Sequence, residues 1–283
     1  MLGFLLVLTS ALFHALWNVL LKKAPDKFRF NLMMHAASMV IMGAVMVVLY
    51  PESLHVDRSV VLFAVIGGFF FALYHLFVAK AYQLADVSQV YPITTSSPIF
   101  VTIWAAIFLG ERISLLGVVG ILITVAGCLV MNGTSLSKTK LQAGVVAALL
   151  AAFTYSFGAL FDKLGVNTGN PVMYSFVMNA AMTVFFAIQY AVQRPVEPRT
   201  KGEWKWVWIA GVVIVLSTLT YRFGIMHMPI SYGVAMRQAS GLFGVLMGVF
   251  FFHEGYGKMR IIGTLVIIFG IVLLRIGLMQ LSI

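Results

Sequence analysis

Ten runs of about twenty apolar residues, joined by short connections, decide most of what this chain can become. They fall at roughly 2–21, 31–50, 59–82, 87–109, 114–131, 141–163, 171–191, 205–226, 230–252 and 260–279. About 20 apolar residues cross a bilayer as a helix, and a helix satisfies its own backbone where no water can. The expected fold is therefore an all-α integral membrane protein with ten transmembrane helices. Composition agrees: 61% of the residues are hydrophobic and 10% charged, against about 25% charged in a soluble domain. The first run has no basic stretch before it and is too long for a signal-peptide core, so it reads as a retained helix.

The longest polar connections, KKAPDKFR (22–29) and QRPVEPRTKGEWK (193–205), are too short for a soluble enzyme or signalling module. A net charge of +10 is spread over these loops, with no basic stripe that could follow a nucleic acid. The loops after the odd-numbered spans hold Lys22, Lys23, Lys27, Arg29, Lys80, Lys138, Lys140, Arg194, Arg199, Lys201, Lys205, Lys258 and Arg260. The other side holds Arg58, Arg112, Lys163, Arg222 and Arg275. Basic loops stay in the cytoplasm. The expectation is a multi-pass cytoplasmic (inner) membrane protein with both termini extracytoplasmic. Cys128, the one cysteine, can form no intrachain disulfide and reads as a small core residue.

The chain also repeats. A shift of 143 residues lays 108–131 on 251–274, so that Phe108, Glu111, Gly120, Leu122 and Gly127 recur as Phe251, Glu254, Gly263, Leu265 and Gly270. The same shift pairs Ser88 with Ser231, Ser97 with Ser240 and Phe100 with Phe243. Residues 1–137 and 138–283 then form two halves of five helices each. An odd number per half inserts the halves with opposite orientation, the arrangement of secondary transporters with a site near the midplane.

These features resemble the drug/metabolite transporter superfamily, and within it the ten-helix EamA-like family. The resemblance rests on Gly110-Glu111 with Gly120 and Gly127, on His253-Glu254 with Gly263 and Gly270, and on SQVYPITTSSPIF at 88–100. It implies two inverted five-helix bundles around a central cavity, moving a small organic solute by alternating access. Glycine lets backbones approach in lipid, so the glycine-spaced fifth and tenth helices read as a packing element. The small multidrug relatives use a glutamate in their first helix. GFLLVLTSALFHALWNVLL here has no acid, which argues against that route of proton-coupled cation export.

Polar residues inside the spans are the candidate site, because a charge near the bilayer centre costs about 2.5–3.5 kcal/mol on insertion scales. Arg237, followed by Gln238, shares a small-residue face with Gly233, Ser240, Gly241, Gly244 and Gly248. It is read as cavity-lining, the other account being a strut on broken-helix carbonyls. Arg222 either reaches the interface or lines the path. Ser10, His14, Asn18 and Lys22 recur every four residues with Trp17 beside them, and His14 either couples protons or is a structural hydrogen-bonding group. Tyr91, Thr95, Pro92 and Pro98 mark a bent fourth helix. His75, Tyr155 and Asn179 complete the substrate-binding set. Asp162 is expected to pair with its neighbour Lys163 at a helix end, and Glu111 and Glu254 to cap the helices that follow them.

The expected function is a secondary transporter whose solute carries a carboxylate or phosphate for Arg237. The expected partners are that small molecule and membrane lipid, with a proton or counter-solute as the coupling species and no nucleic acid. An organic cation in an aromatic-lined cavity is the alternative. From other classes, a membrane enzyme or a lipid scramblase was weighed. His253-Glu254 lacks the second histidine of a zinc motif, no other cluster has metal-ligand spacing, and no metal or cofactor is expected.

Overall fold

The computed structural model describes residues 1–24, 26–55, 57–84, 90, 93–132, 141–193, 203–252 and 257–281. The described residues form helices α1 (Leu2–Lys23), α2 (Lys27–Leu49), α3 (Arg58–Leu84), α4 (Ser97–Leu109), α5 (Leu115–Asn132), α6 (Leu141–Thr168), α7 (Pro171–Gln193), α8 (Glu203–Met226), α9 (Ile230–Arg237), α10 (Ala239–Phe252) and α11 (Lys258–Gln280). Seven of them are long and apolar enough to cross a membrane, and two shorter apolar ones cover Ser97–Leu109 and Leu115–Val130. The fold is the expected all-α membrane architecture of two five-helix repeats, with differences that matter for the site.

The ninth span is not one helix. It breaks at Gln238 into α9 and α10. The fourth span, expected as a helix over 87–109, has a turn at 95–96, and α4 starts at Ser97. Pro98 in the first turn of α4 supplies no amide, so one carbonyl of the preceding turn goes without its helical donor. In the ninth span there is neither proline nor glycine at the break.

Helix pairing shows how the halves are interleaved. The closest-packed pairs are α5 on α11, α3 on α6 and α1 on α8, followed by α2 on α7, α3 on α7 and α2 on α8. Exchanging the first five spans for the last five maps α5–α11 and α2–α7 onto themselves. It swaps α3–α6 with α1–α8, and α3–α7 with α2–α8. Each major interface therefore joins one half to the other.

The glycines seven apart do what their spacing predicts. A Cβ on Gly120 would meet the Leu274 amide nitrogen at 2.9 Å and the Gly270 carbonyl at 3.0 Å. One on Gly127 would meet the Ile267 nitrogen at 2.8 Å and the Gly263 carbonyl at 3.0 Å. The backbones of α5 and α11 are in close contact there. Elsewhere Ser10 on α1 and Ser217 on α8 bond reciprocally, each hydroxyl donating to the other's carbonyl at 2.8 and 3.2 Å.

Both ends of the chain lie on one face. Gly3 abuts Gly224 and His227, and Gly277 accepts a hydrogen bond from Ser114 Oγ. The turns before α5 and between α8 and α9 share that face with the termini. Gly127→Leu should separate α5 from α11 and cost about 1–3 kcal/mol or more of overpacking. Thermal unfolding in detergent should show a lower Tm, while Gly244→Ala, with nothing within 4 Å of the added carbon, should leave it in place.

Candidate functional site

Arg237 is the last residue of α9, where the negative end of the helix dipole favours a cation. The Gln238 amide turns back onto the Ala235 and Met236 carbonyls, which closes α9 in one tight turn. The guanidinium is half-buried. It stacks on Tyr221 of α8, with Cζ 4.2 Å from the ring centroid, and one Nη lies 3.2 Å from His14 Nδ1. Arginine only donates, so His14 accepts at Nδ1. On its own helix His14 lies one turn past Ser10, and Tyr221 lies one turn past Ser217. Because α1 and α8 are antiparallel, the guanidinium spans the Ser10–Ser217 contact.

The two interrupted helices touch at their breaks. Gln238 Nε2 donates to the Thr95 carbonyl at 3.4 Å, and Cys128 Sγ lies 3.9 Å from Gln238 Oε1. Thr95 and Gln238 are 143 residues apart, the internal repeat itself. A residue of one half thus meets its own counterpart in the other, which puts this contact on the pseudo-two-fold axis. Thr102 Oγ1 donates to the Pro98 carbonyl at 2.7 Å, giving a further partner to the backbone beside the break.

Around this centre lie half-buried polar and aromatic groups. His14 packs edge-on against Trp17, with ring centroids 5.0 Å apart. Tyr155 of α6 stands edge-on to Phe71 and Tyr74 of α3, at 5.3 and 5.2 Å. His75 packs on Phe186 at 5.2 Å, and His35, buried on α2, meets the same ring at 4.8 Å. His35 was not singled out from sequence. A lone histidine in a continuous apolar run gives no local sign of which helix it faces. Thr95, Gln238 and Ser240 are half-buried, and Asn179 is buried.

Three expectations need correction. Asp162 does not pair with Lys163. Its carboxylate accepts from Arg222 Nε and Nη2 at 3.3 and 3.2 Å, with both side chains 2–3% exposed. Arg222 also stacks on Tyr174 at 5.0 Å and meets Met178 Sδ at 2.9 Å, so it does not reach for the interface. α6 continues past residue 163 to Thr168, which places both groups inside the bundle. Lys163 instead donates to the carbonyls of Ile225 and of Met228, the latter at 3.0 Å. Glu111 caps α9, not the helix that follows it. It accepts from the Ile230 and Ser231 amides at 2.6 and 3.3 Å and from Ser231 Oγ at 2.7 Å. Asn18 is exposed and donates to the His14 carbonyl of its own helix at 2.7 Å. Tyr91 and Glu254 lie outside the described residues.

Several buried donors in this region have no partner among the described residues. They are Arg237 Nε, Arg222 Nη1, Asn179 Nδ2 and the Tyr221 hydroxyl. An unpartnered buried donor costs roughly 1–3 kcal/mol, so the site is better matched to something that brings acceptors.

Interleaved helical repeats with two broken spans meeting at a polar centre are the architecture of a membrane transporter. The comparisons then name its kind. The model of the EamA-like transporter family matches residues 1–133 and again 142–276. The chain belongs to that family, and it is a transporter, not an enzyme. It is similar to an uncharacterized transporter, YxxF, of Bacillus subtilis (strain 168), 26% identical over 58% of this chain and 49% of that one. It thus spans about half the length of that relative. It is also similar to a putative sugar uptake protein of Lactiplantibacillus plantarum, at 25% identity over 71% of this chain and 72% of the other. A transporter of Archaeoglobus fulgidus is 34% identical over 38% of each chain. A solved crystal structure superimposes with a TM-score of 0.82 over 99% of both chains at 19% identity, which shows the fold alone.

Asp162→Ala would leave Arg222 buried without a counter-charge and should cost about 3–5 kcal/mol. The double variant Asp162→Ala/Arg222→Met should recover much of that loss, read as Tm of the purified protein.

Proposed function

We propose that this protein carries a small carboxylate- or phosphate-bearing metabolite across the cytoplasmic membrane by alternating access. Residues 1–137 and 138–283 act as the two moving halves, and the termini lie outside. The unpartnered guanidinium nitrogen of Arg237 supports this reading most directly. A carboxylate or phosphate would take the Arg237 Nε and displace His14 from its Nη, forming the two-pronged pair for which arginine is suited. The Tyr221 hydroxyl offers a further donor. Trp17, His75 and Tyr155 would flank the rest of the solute. Gln238, Ser240 and Thr95 would form the floor at the helix breaks, with Asn179 and Arg222 as further donors. A neutral sugar, suggested by one relative, would use the same aromatic walls without needing the guanidinium.

Binding stabilises a fold by mass action, so a melting-temperature screen of amino acids, organic acids, phosphate monoesters, sugars and quaternary amines tests the reading. An anionic or zwitterionic solute should raise Tm in the parent. Arg237→Ala should weaken its binding at least about tenfold, a modest loss for a charge-assisted pair. A shift produced only by sugars or amines, and kept in Arg237→Ala, would overturn the anion assignment.

His14 is the candidate for proton coupling. Its Nδ1 cannot both accept from Arg237 and carry a proton, so an anion that draws Arg237 away frees that nitrogen. Uptake of solute should be accompanied by protons in the parent and not in His14→Gln, measured with a pH electrode on a lightly buffered suspension of proteoliposomes.

A further inference from the structure

The hairpin between α8 and α9, His227-Met228-Pro229, is held at both ends by opposite charges. Lys163 caps the carboxyl end of α8 through the Ile225 and Met228 carbonyls. Glu111 caps the amino end of α9 through two amides and a hydroxyl. Each charge matches the helix end it meets, cation to carbonyls and anion to amides. Gly110 makes the Glu111 contact reachable. Its left-handed backbone (φ +62°) ends α4, and the next amide returns to the Ala105 carbonyl, so the chain turns sharply toward α9. A third tie follows directly. Ser114 bonds the Tyr232 hydroxyl through its amide and Oγ, at 3.2 and 3.0 Å, and donates to the Gly277 carbonyl at 3.0 Å.

These contacts bring together the turn between spans four and five, the end of span six, the α8–α9 hairpin and the end of span ten. All lie on the face that carries the termini. From Ile230 to Arg237 is seven helical steps, about 10 Å at 1.5 Å per residue, so the arginine lies directly beneath the clasp. The 143-residue shift carries Glu111 and Ser231 onto Glu254 and Ser88, but Asp162, Lys163 and Arg222 onto Val19, Leu20 and Ala79. The glutamate and serine thus recur with the repeat, whereas the Lys163 tie and the Asp162–Arg222 pair have no charged counterpart in the other half.

We infer that Glu111 and Lys163 are positioning residues of the transport cycle: they clasp the α8–α9 hairpin shut over the Arg237 site, which is then reached from the opposite face. The inference rests on the transporter reading but not on the nature of the solute. Opening toward the termini requires both helix ends to lose their charged caps. Loss of either cap shifts the population toward the state open on that face, since only interactions that differ between two states move their equilibrium.

The test uses the full-length protein in oriented membrane vesicles, with Cys128→Ala removing the native thiol and Ser240→Cys as reporter. A membrane-impermeant maleimide is added to one face at a time. The parent should label from the face opposite the termini. Glu111→Gln and Lys163→Met should each raise labelling from the terminal face roughly tenfold, a shift well within what a two-state equilibrium allows. Lys163→Arg should restore the parent pattern. Tyr232→Phe removes only the hydroxyl that Ser114 holds, so it serves if the charge variants do not accumulate; it should move sidedness the same way by a smaller factor. Equal labelling from both faces in the parent would overturn the inference. So would variants that lose Tm while keeping the parent's sidedness, which is the result of a purely structural cap. No solute enters the measurement, so failure of the anion reading leaves it untouched.

Discussion

Inside hydrocarbon no amide or carbonyl can turn to water for a partner, and this constraint governs every irregular feature of the molecule. Two of its ten spans are interrupted, and each interruption exposes backbone groups that the protein must satisfy itself. At Gln238 the exposed amide folds back into a tight turn. At residues 95–96 the Thr95 carbonyl is met by the Gln238 side chain. The two breaks repair each other because the repeat brings them to one axis. Had either half been shifted by a residue or two, both sets of backbone groups would face lipid or apolar side chains.

The same logic explains why charged side chains are found where they are. Arg237 ends its own helix, and the side chains of Lys163 and Glu111 reach the ends of α8 and α9, where unsatisfied backbone groups carry partial charge of the opposite sign. Among the described residues only Asp162 and Arg222 form a side-chain ion pair within the bundle, and there the aromatic face of Tyr174 and the Met178 sulfur complete the arginine's surroundings. The charges are thus anchored by main chain more than by one another. Tyr221 stacks on Arg237 while its sequence neighbour Arg222 faces Asp162. A shift of α8 along its axis would be felt by both.

Much of the fold was legible because membrane helices advertise themselves: length and apolarity mark a span without reference to anything distant. The glycine spacing of α5 and α11 was legible for the same reason, since close approach needs small residues at a helical period. What escaped was pairing across the chain. Asp162 stands next to Lys163 in sequence, and only the fold shows that its partner lies sixty residues away on α8. Glu111 has the look of a local cap, yet the left-handed Gly110 aims it at a helix that begins at residue 230. The break at Gln238 escaped too, because no proline or glycine marks it. Arg237, by contrast, was conspicuous, since a guanidinium in an apolar run must be explained by something within the protein.

Among the described residues no acid stands against Arg237, and this has an electrical consequence. The four charges around the hairpin, on Glu111, Lys163, Asp162 and Arg222, sum to zero, so a uniform field does little net work on them. Arg237 keeps one uncompensated positive charge in the middle of the molecule. Moving a whole elementary charge through a potential of 100 mV is worth about 2.3 kcal/mol. In the proposed alternating-access cycle, the empty centre would carry this charge through part of the membrane field. A monovalent anion bound alone would cancel it, and an anion bound together with a proton on His14 would restore it. The voltage dependence of the loaded step would then report whether a proton travels with the solute.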